Sequence, residues 1–448
     1  MPDIALILSI LSGIAVLLVL ILYFKIQAFL ALLIAGIWVG LWAGMNPQDV
    51  IASMKSGMGS TLGFVATVVG LGALFGAILE SSGGSQIISK FLLKTFGQQN
   101  APWAMVIAGF IIAIPVFFDV AFIILIPVVY ALQKSTGKSL LLYGLPLLAG
   151  LAITHSFIPP TPGPVAVAEI VGANLGMVIL AGFITGIPCA IIAGPIFARW
   201  ISKRIYVQVP EYIESSEQND KTPSLPVVLL IIFIPIVLIL INTFLSSPLF
   251  SQMVIPKWFE MTIALIGHPF GALILANVLA WYFLGLKQGF TKNELLTINS
   301  KSLAPAGIII LLTGAGGAFK QVLIDTGIGD LIASSIGSSG SSILLFAFLI
   351  SGIVRILQGS ATVAMITAAG VVAPLLEISS GSFFNALAVI AIASGATLLS
   401  HVNDSGFWLV NRYFGLTEKQ TLASWSVMTS IIAFTGLIMV LILQVLFV

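Results

Sequence analysis

The 448-residue sequence predicts an all-α polytopic membrane protein of two inverted repeats, each with about five spans, a re-entrant hairpin and a broken helix. Three observations carry that prediction. The chain is 59% hydrophobic and 8% charged with a mean hydropathy of +1.15, whereas a soluble domain carries roughly 25% charged residues. Apolar runs of about 20 residues, enough for a ~30 Å hydrocarbon core, recur from end to end. Two polar, Gly/Pro-broken segments, 154–164 and 400–408, interrupt that pattern, one in each half. In lipid an interrupted helix leaves backbone groups unpaired, at several kcal/mol each. Matched interruptions in two halves point to a transporter site at the bilayer midplane. A β-barrel would need alternating ~10-residue segments, and the sequence has none.

Residues 4–23, 27–45, 61–79, 177–197 and 225–245 read as clear spans. The start, Met1-Pro2-Asp3, has no cationic region or small-residue cleavage site, so the first run is expected to be a retained span. Residues 103–130 are apolar throughout, but Pro115 and Asp119 divide them into pieces of about 13–15 residues. At 1.5 Å per residue each piece reaches only ~20–23 Å. A re-entrant hairpin with its tip at Phe117-Phe118-Asp119 fits, with two short tilted spans as the alternative. The counterpart, 343–376, turns near Gln358-Gly359-Ser360-Ala361-Thr362. The long polar stretch reads as an exposed linker, giving membrane repeat 1 (1–201), a cytoplasmic linker (202–226) and membrane repeat 2 (227–448).

A weak internal repeat relates the halves. Gly70, Gly72, Phe75, Leu79 and Gly83 recur 244 positions later as Gly314, Gly316, Phe319, Leu323 and Gly327. His155 recurs 246 later as His401, and Asp119-Val120-Ala121 falls opposite Thr362-Val363-Ala364, 243 later. With both termini outside, 14 of the 18 Lys and Arg residues face the cytoplasm, Lys25 among them; only Lys55 and Lys257 face outward. That orientation requires five spans per half, an odd number, which inverts the second half.

Charges within the membrane cost ~2.5–3.5 kcal/mol each on insertion scales, so each needs a reason. Asp119 reads as a proton-accepting or hydroxyl-binding carboxylate, or as a structural one. Arg355 is a candidate anchor for an anionic substrate, since guanidinium stays charged and grips carboxylate bidentately. A structural ion pair with Asp119 or Asp404 is the alternative. His155 and His401 sit beside the two breaks, and histidine titrates near physiological pH, so a proton-coupling role is expected of at least one. Ser156, Thr161, Asn403 and Asp404 at the breaks, with Ser360 and Thr362 at the second tip, supply donors and acceptors suited to a polyhydroxylated acid. Half-helix N-termini there favour an anion. Gly314-Ala315-Gly316-Gly317 reads as a close-packing face, because a phosphate loop needs Lys-Ser/Thr. No metal site or cofactor is expected, and no basic tract points to nucleic acid. Cys189, the single cysteine, excludes a disulfide within the chain.

At these residues the sequence resembles the gluconate permease family, over nearly its whole length. The stretches 316–323, 359–364 and 400–409 carry the resemblance most specifically. It implies an elevator-type proton symporter for gluconate or a related sugar acid, in which hairpins and broken helices move against a homodimer scaffold. Arg355 and His401-Val402-Asn403-Asp404 match the sugar-acid branch, and the D-serine branch departs at both. The chain has Asp119 where the family pattern has glutamate, and Thr161 where it has a second histidine. Another hydroxylated carboxylate or D-serine, coupled to Na⁺, is the alternative reading. An intramembrane enzyme lacks its catalytic motif here, and a channel lacks its continuous polar stripe.

Overall fold

Glycine and proline divide the apolar chain into helices, and the computed structural model shows where each one stops. It describes residues 3–210, 223–245, 256–327, 340–376, 382–401 and 404–447, and all regular structure among them is helical. The first half contains α1 (Asp3–Leu22), α2 (Ala28–Trp42), α3 (Pro47–Ser81), α4 (Gly84–Phe96), α5 (Ala101–Ile112), α6 (Phe118–Thr136), α7 (Leu141–Phe157), α8 (Pro162–Ile170) and α9 (Leu175–Ile191). A π turn (Ile192–Ile196) leads into α10 (Phe197–Ile201). The second half contains α11 (Leu225–Leu245), α12 (Lys257–Ile266), α13 (Pro269–Ala280), α14 (Lys292–Asp325), α15 (Gly340–Gln358), α16 (Ala361–Leu376), α17 (Ser382–Ala396), α18 (Ser405–Phe414) and α19 (Glu418–Thr421). Another π turn (Leu422–Ser426) leads into α20 (Val427–Phe447). Residues 211–222 of the expected linker lie outside the described residues.

Seven helical stretches among the described residues are long and apolar enough to cross a membrane: 47–81, 141–170, 175–201, 225–245, 269–288, 292–325 and 418–447. The chain is an all-α, multi-pass membrane protein. α2 has 15 residues, fewer than the predicted run 27–45, because Gly44 turns the backbone at φ 87°. The limbs around the first tip are also less equal than the sequence implied. α5 has 12 residues and stops short of Pro115, whereas α6 has 19 and continues past Tyr130 to a left-handed Gly137. α15 likewise has 19.

The longest elements form one tight pair. α3 opens on Pro47, whose fixed φ and missing N–H suit a first helical turn. α14 opens on a capping box, with Glu294 N donating to Thr291 Oγ1 at 3.2 Å and Thr291 N donating to Glu294 Oε2 at 2.7 Å. At 35 and 34 residues each reaches ~50 Å, more than a ~30 Å core, so these helices tilt or project beyond it. A Cβ on Gly57 would come within 2.4 Å of the Gly317 carbonyl oxygen, and one on Gly317 within 2.2 Å of Thr61 Oγ1. Glycine permits that approach, and 314–317 is a close-packing face. Inside, α7, α8 and α16 are apolar nearly all round and almost wholly buried. They carry the first interruption and the second tip into the interior, and the second interruption follows α17.

Candidate functional site

The second interruption spans 397–404, between α17 and α18. Leu399 has a left-handed backbone (φ 45°), a conformation L-residues other than Gly and Asn rarely adopt. Neighbouring side chains satisfy the freed backbone groups of Ser400: its N–H donates to Thr429 Oγ1 at 3.2 Å, and its carbonyl accepts from Ser426 Oγ. The Ser400 hydroxyl accepts from Trp425 Nε1 at 2.7 Å and donates to Asp404 Oδ2. Asp404 caps α18 by accepting from Gly406 N at 3.0 Å through Oδ1.

Arg355 reaches this carboxylate from the last turn of α15. Nη2 donates to Asp404 Oδ2 and Nη1 donates to the Gly359 carbonyl, while Nε is buried without a hydrogen-bond partner among the described residues. Both charged residues are buried, at 5% and 8% exposure, so the pair is desolvated and each charge depends on the other. His401 Nε2 donates to the Ile356 carbonyl at 2.7 Å, which fixes the proton on that nitrogen because a carbonyl only accepts. Two contacts thus clamp the second interruption to the second tip. At the tip itself Gly359 is left-handed (φ 92°) and Ser360 caps α16, its Oγ accepting from Val363 N at 3.3 Å. Thr362 is half-buried in the first turn of α16.

The first interruption is built differently. Pro159, Pro160, Pro162 and Pro164 carry no N–H, so four donors are absent rather than paired. The Pro159–Pro160 bond is cis. The Ile158 carbonyl accepts from Thr161 Oγ1 at 2.6 Å, and the Phe157 carbonyl packs against Gly182, where a Cβ would come within 2.5 Å. The first tip closes over it. Pro115, Phe117, Pro160 and Thr161 line a cavity of about 10 Å³ with Gly72 of α3, no larger than one water probe. His155 has its Nδ1 buried and without a hydrogen-bond partner among the described residues, with the Phe117 ring centroid 6.3 Å away.

Asp119, two residues past Phe117, is exposed and lies within electrostatic reach of Asp404. The Phe118 ring packs tilted, with its centroid 5.7 Å from that of Trp425, which holds Ser400. The first tip therefore packs on the first interruption and reaches the second through Trp425 and the charge of Asp119.

Of the residues singled out in sequence, the structure gathers Arg355, Asp404 and His401 with the Ser360 turn, and brings Asp119 alongside. Thr161 and Ser156 are buried at 4% exposure in the sealed first interruption, with the Thr161 hydroxyl committed to Ile158. His155 faces Phe117 rather than His401. Asn403 lies outside the described residues. Sequence reasoning placed Ser400 in the second break without giving it a role, and passed over Trp425, Ser426 and Thr429. Their signal was present: Ser424-Trp425-Ser426 is a polar knot in an apolar helix, and it forms the π turn.

The GntP family permease model matches residues 5–446. The chain belongs to the GntP permease family. This permease is 38% identical over 446 residues to the gluconate permease of Pseudomonas aeruginosa, covering 99% of this chain and 98% of that one. It is 38% identical over 432 residues to the Gnt-II system L-idonate transporter of Escherichia coli (strain K12), covering 96% and 97%. Among solved structures, the YdaH transporter of Alcanivorax borkumensis matches with a TM-score of 0.61 at 11% identity, over 89% of this permease and 87% of that chain. That likeness is one of fold. As a permease the protein is a transporter and not an enzyme.

Proposed function

We propose that the permease imports gluconate or a related sugar acid with protons across the cytoplasmic membrane. Charge at the second interruption carries this reading. Asp119 and Asp404 are two carboxylates beside one guanidinium, Arg355, for a sum of −1. A bound carboxylate would make the sum −2, and one proton restores −1. In a poorly hydrated interior, arrival of the anion and protonation of a carboxylate favour each other. Asp119 is the proton acceptor in this scheme, because it is exposed whereas Asp404 is held by three donors. Arg355 anchors the substrate carboxylate through Nε and its remaining donors. The hydroxyls of Ser360 and Thr362 are assigned to the polyol, and Asn403, outside the described residues, keeps the binding role its sequence position suggests. His155 and His401 are the secondary candidates for coupling.

The names of relatives transporting gluconate and L-idonate support the substrate class. The order of elements supports two inverted repeats, 1–201 and 227–448, joined by a cytoplasmic linker (202–226). In each half a long helix (α3, α14) is followed by a helix pair around a tip, an interrupted helix, and a final helix containing a π turn. In this reading α5–α6 and α15–α16 are re-entrant hairpins, both termini lie outside, and a homodimer provides the scaffold against which the site moves.

The deciding experiment is radiolabelled gluconate uptake into proteoliposomes with an imposed proton gradient and no Na⁺. Accumulation above equilibrium, abolished by a protonophore, is the expected result. Asp119→Asn is expected to lose gradient-driven accumulation while retaining gluconate/gluconate counterflow. Counterflow and accumulation lost or retained together would remove Asp119 from coupling, and uptake that requires Na⁺ would replace the proton.

A further inference from the structure

A cavity of about 380 Å³ lies beside the second tip, and Arg355 is not among its lining residues. Its walls are Lys25 and Gln27 at the α1–α2 turn, Ile308 and Leu312 on α14, and Gln358 and Val363 at the tip. The volume falls within the ~300–1,000 Å³ of small-molecule sites. Lys25 is the one charged residue among the described residues lining it, and makes no ion pair among them. Its backbone is left-handed (φ 55°) at the end of α1, where Ile26 N donates back to the Leu20 carbonyl at 2.9 Å. Glycine is the default residue in that cap, so a lysine there is held against backbone preference. Gln358 joins the cavity to the tip: it lines the cavity and its Oε1 accepts from Ser360 N at 2.9 Å, beside the Gly359 carbonyl that Arg355 grips.

We propose that this cavity is an anion antechamber, in which Lys25 holds the substrate carboxylate and the two glutamines meet its hydroxyls, before or after passage through the Gly359-Ser360 turn to Arg355. The proposal rests on the sugar-acid reading for the identity of the anion, but not for its charge. A lone cation in a partly enclosed cavity raises the local anion concentration, an effect that falls with ionic strength.

The test uses a cysteine on the wall, since the native Cys189 is buried. Ile308→Cys is expected to react from water, and about tenfold faster with a sulfonate-bearing methanethiosulfonate than with an ammonium-bearing one at low salt. Adding Lys25→Gln should erase that preference, Lys25→Arg should keep it, and gluconate should slow labelling where glucose does not. In transport, Lys25→Gln should raise the KM for gluconate several-fold at low salt with little change in maximal rate. An Ile308→Cys thiol that never reacts would mean lipid or a second copy of the chain fills the cavity, overturning the proposal. A charge preference indifferent to Lys25 would overturn it equally. If no version transports gluconate, the sugar-acid reading fails, while the charge ratio still decides whether the cavity collects anions.

Discussion

The two interruptions meet the same physical demand in opposite ways. Backbone groups freed by a broken helix must be satisfied where water is scarce. The first interruption removes donors by proline, packs its Phe157 carbonyl against Gly182 and leaves room for about one water. The second keeps its donors and acceptors and pairs them with side chains from three other places in the chain: Arg355, Trp425–Ser426 and Thr429. A removed donor cannot be exchanged for a ligand's hydrogen bond, but a side-chain pair can. We propose that this asymmetry reflects a more rigid first interruption and a binding role for the second, although the sequence treated them as equivalents.

Five substitutions test that contrast. Arg355→Gln should have the largest effect: transport lost to background, and about 3–5 kcal/mol of stability lost, because Asp404 is left charged and buried. Thermal unfolding in detergent, read beside uptake, separates the two effects. The double variant Arg355→Gln with Asp404→Asn should recover much of the stability without recovering transport. Full uptake by the single variant would end the assignment of Arg355 as the anchor.

Gly182→Ala comes next, and its effect should be on stability alone. The new methyl meets backbone at Phe157, which has no rotamer to yield, so about 1–3 kcal/mol is expected. A lowered Tm with an unchanged KM would mark the first interruption as scaffold, whereas a shifted KM would make it part of the binding surface. The smallest contrast is between two serines. Ser400→Ala removes a donor to Asp404 and an acceptor for Trp425, worth about 1 kcal/mol, or about fivefold in KM. Ser156→Ala removes a buried hydroxyl with no hydrogen bond among the described residues and should leave KM within about twofold. Equal effects at the two serines would erase the asymmetry.

Hydropathy alone determined that the chain lives in a membrane, because no folded soluble surface can be made from so few charges. Pro, Gly and isolated polar residues located both interruptions and both tips to within a few residues, since nothing else breaks an apolar helix. The close-packing role of 314–317 was likewise legible, because glycines recur where helices touch. Partnership was not. Arg355 could have paired with Asp119 or with Asp404, 49 positions away, and only the approach of α15 to the second interruption chose Asp404. Ser400 and Trp425 joined the site through a π turn that no period in the sequence announces. The first interruption's histidine ended against an aromatic ring instead of its symmetry mate. Local chemistry fixes where a helix must end. Which charges then share a desolvated space depends on how distant helices pack, and that is a property of the whole fold.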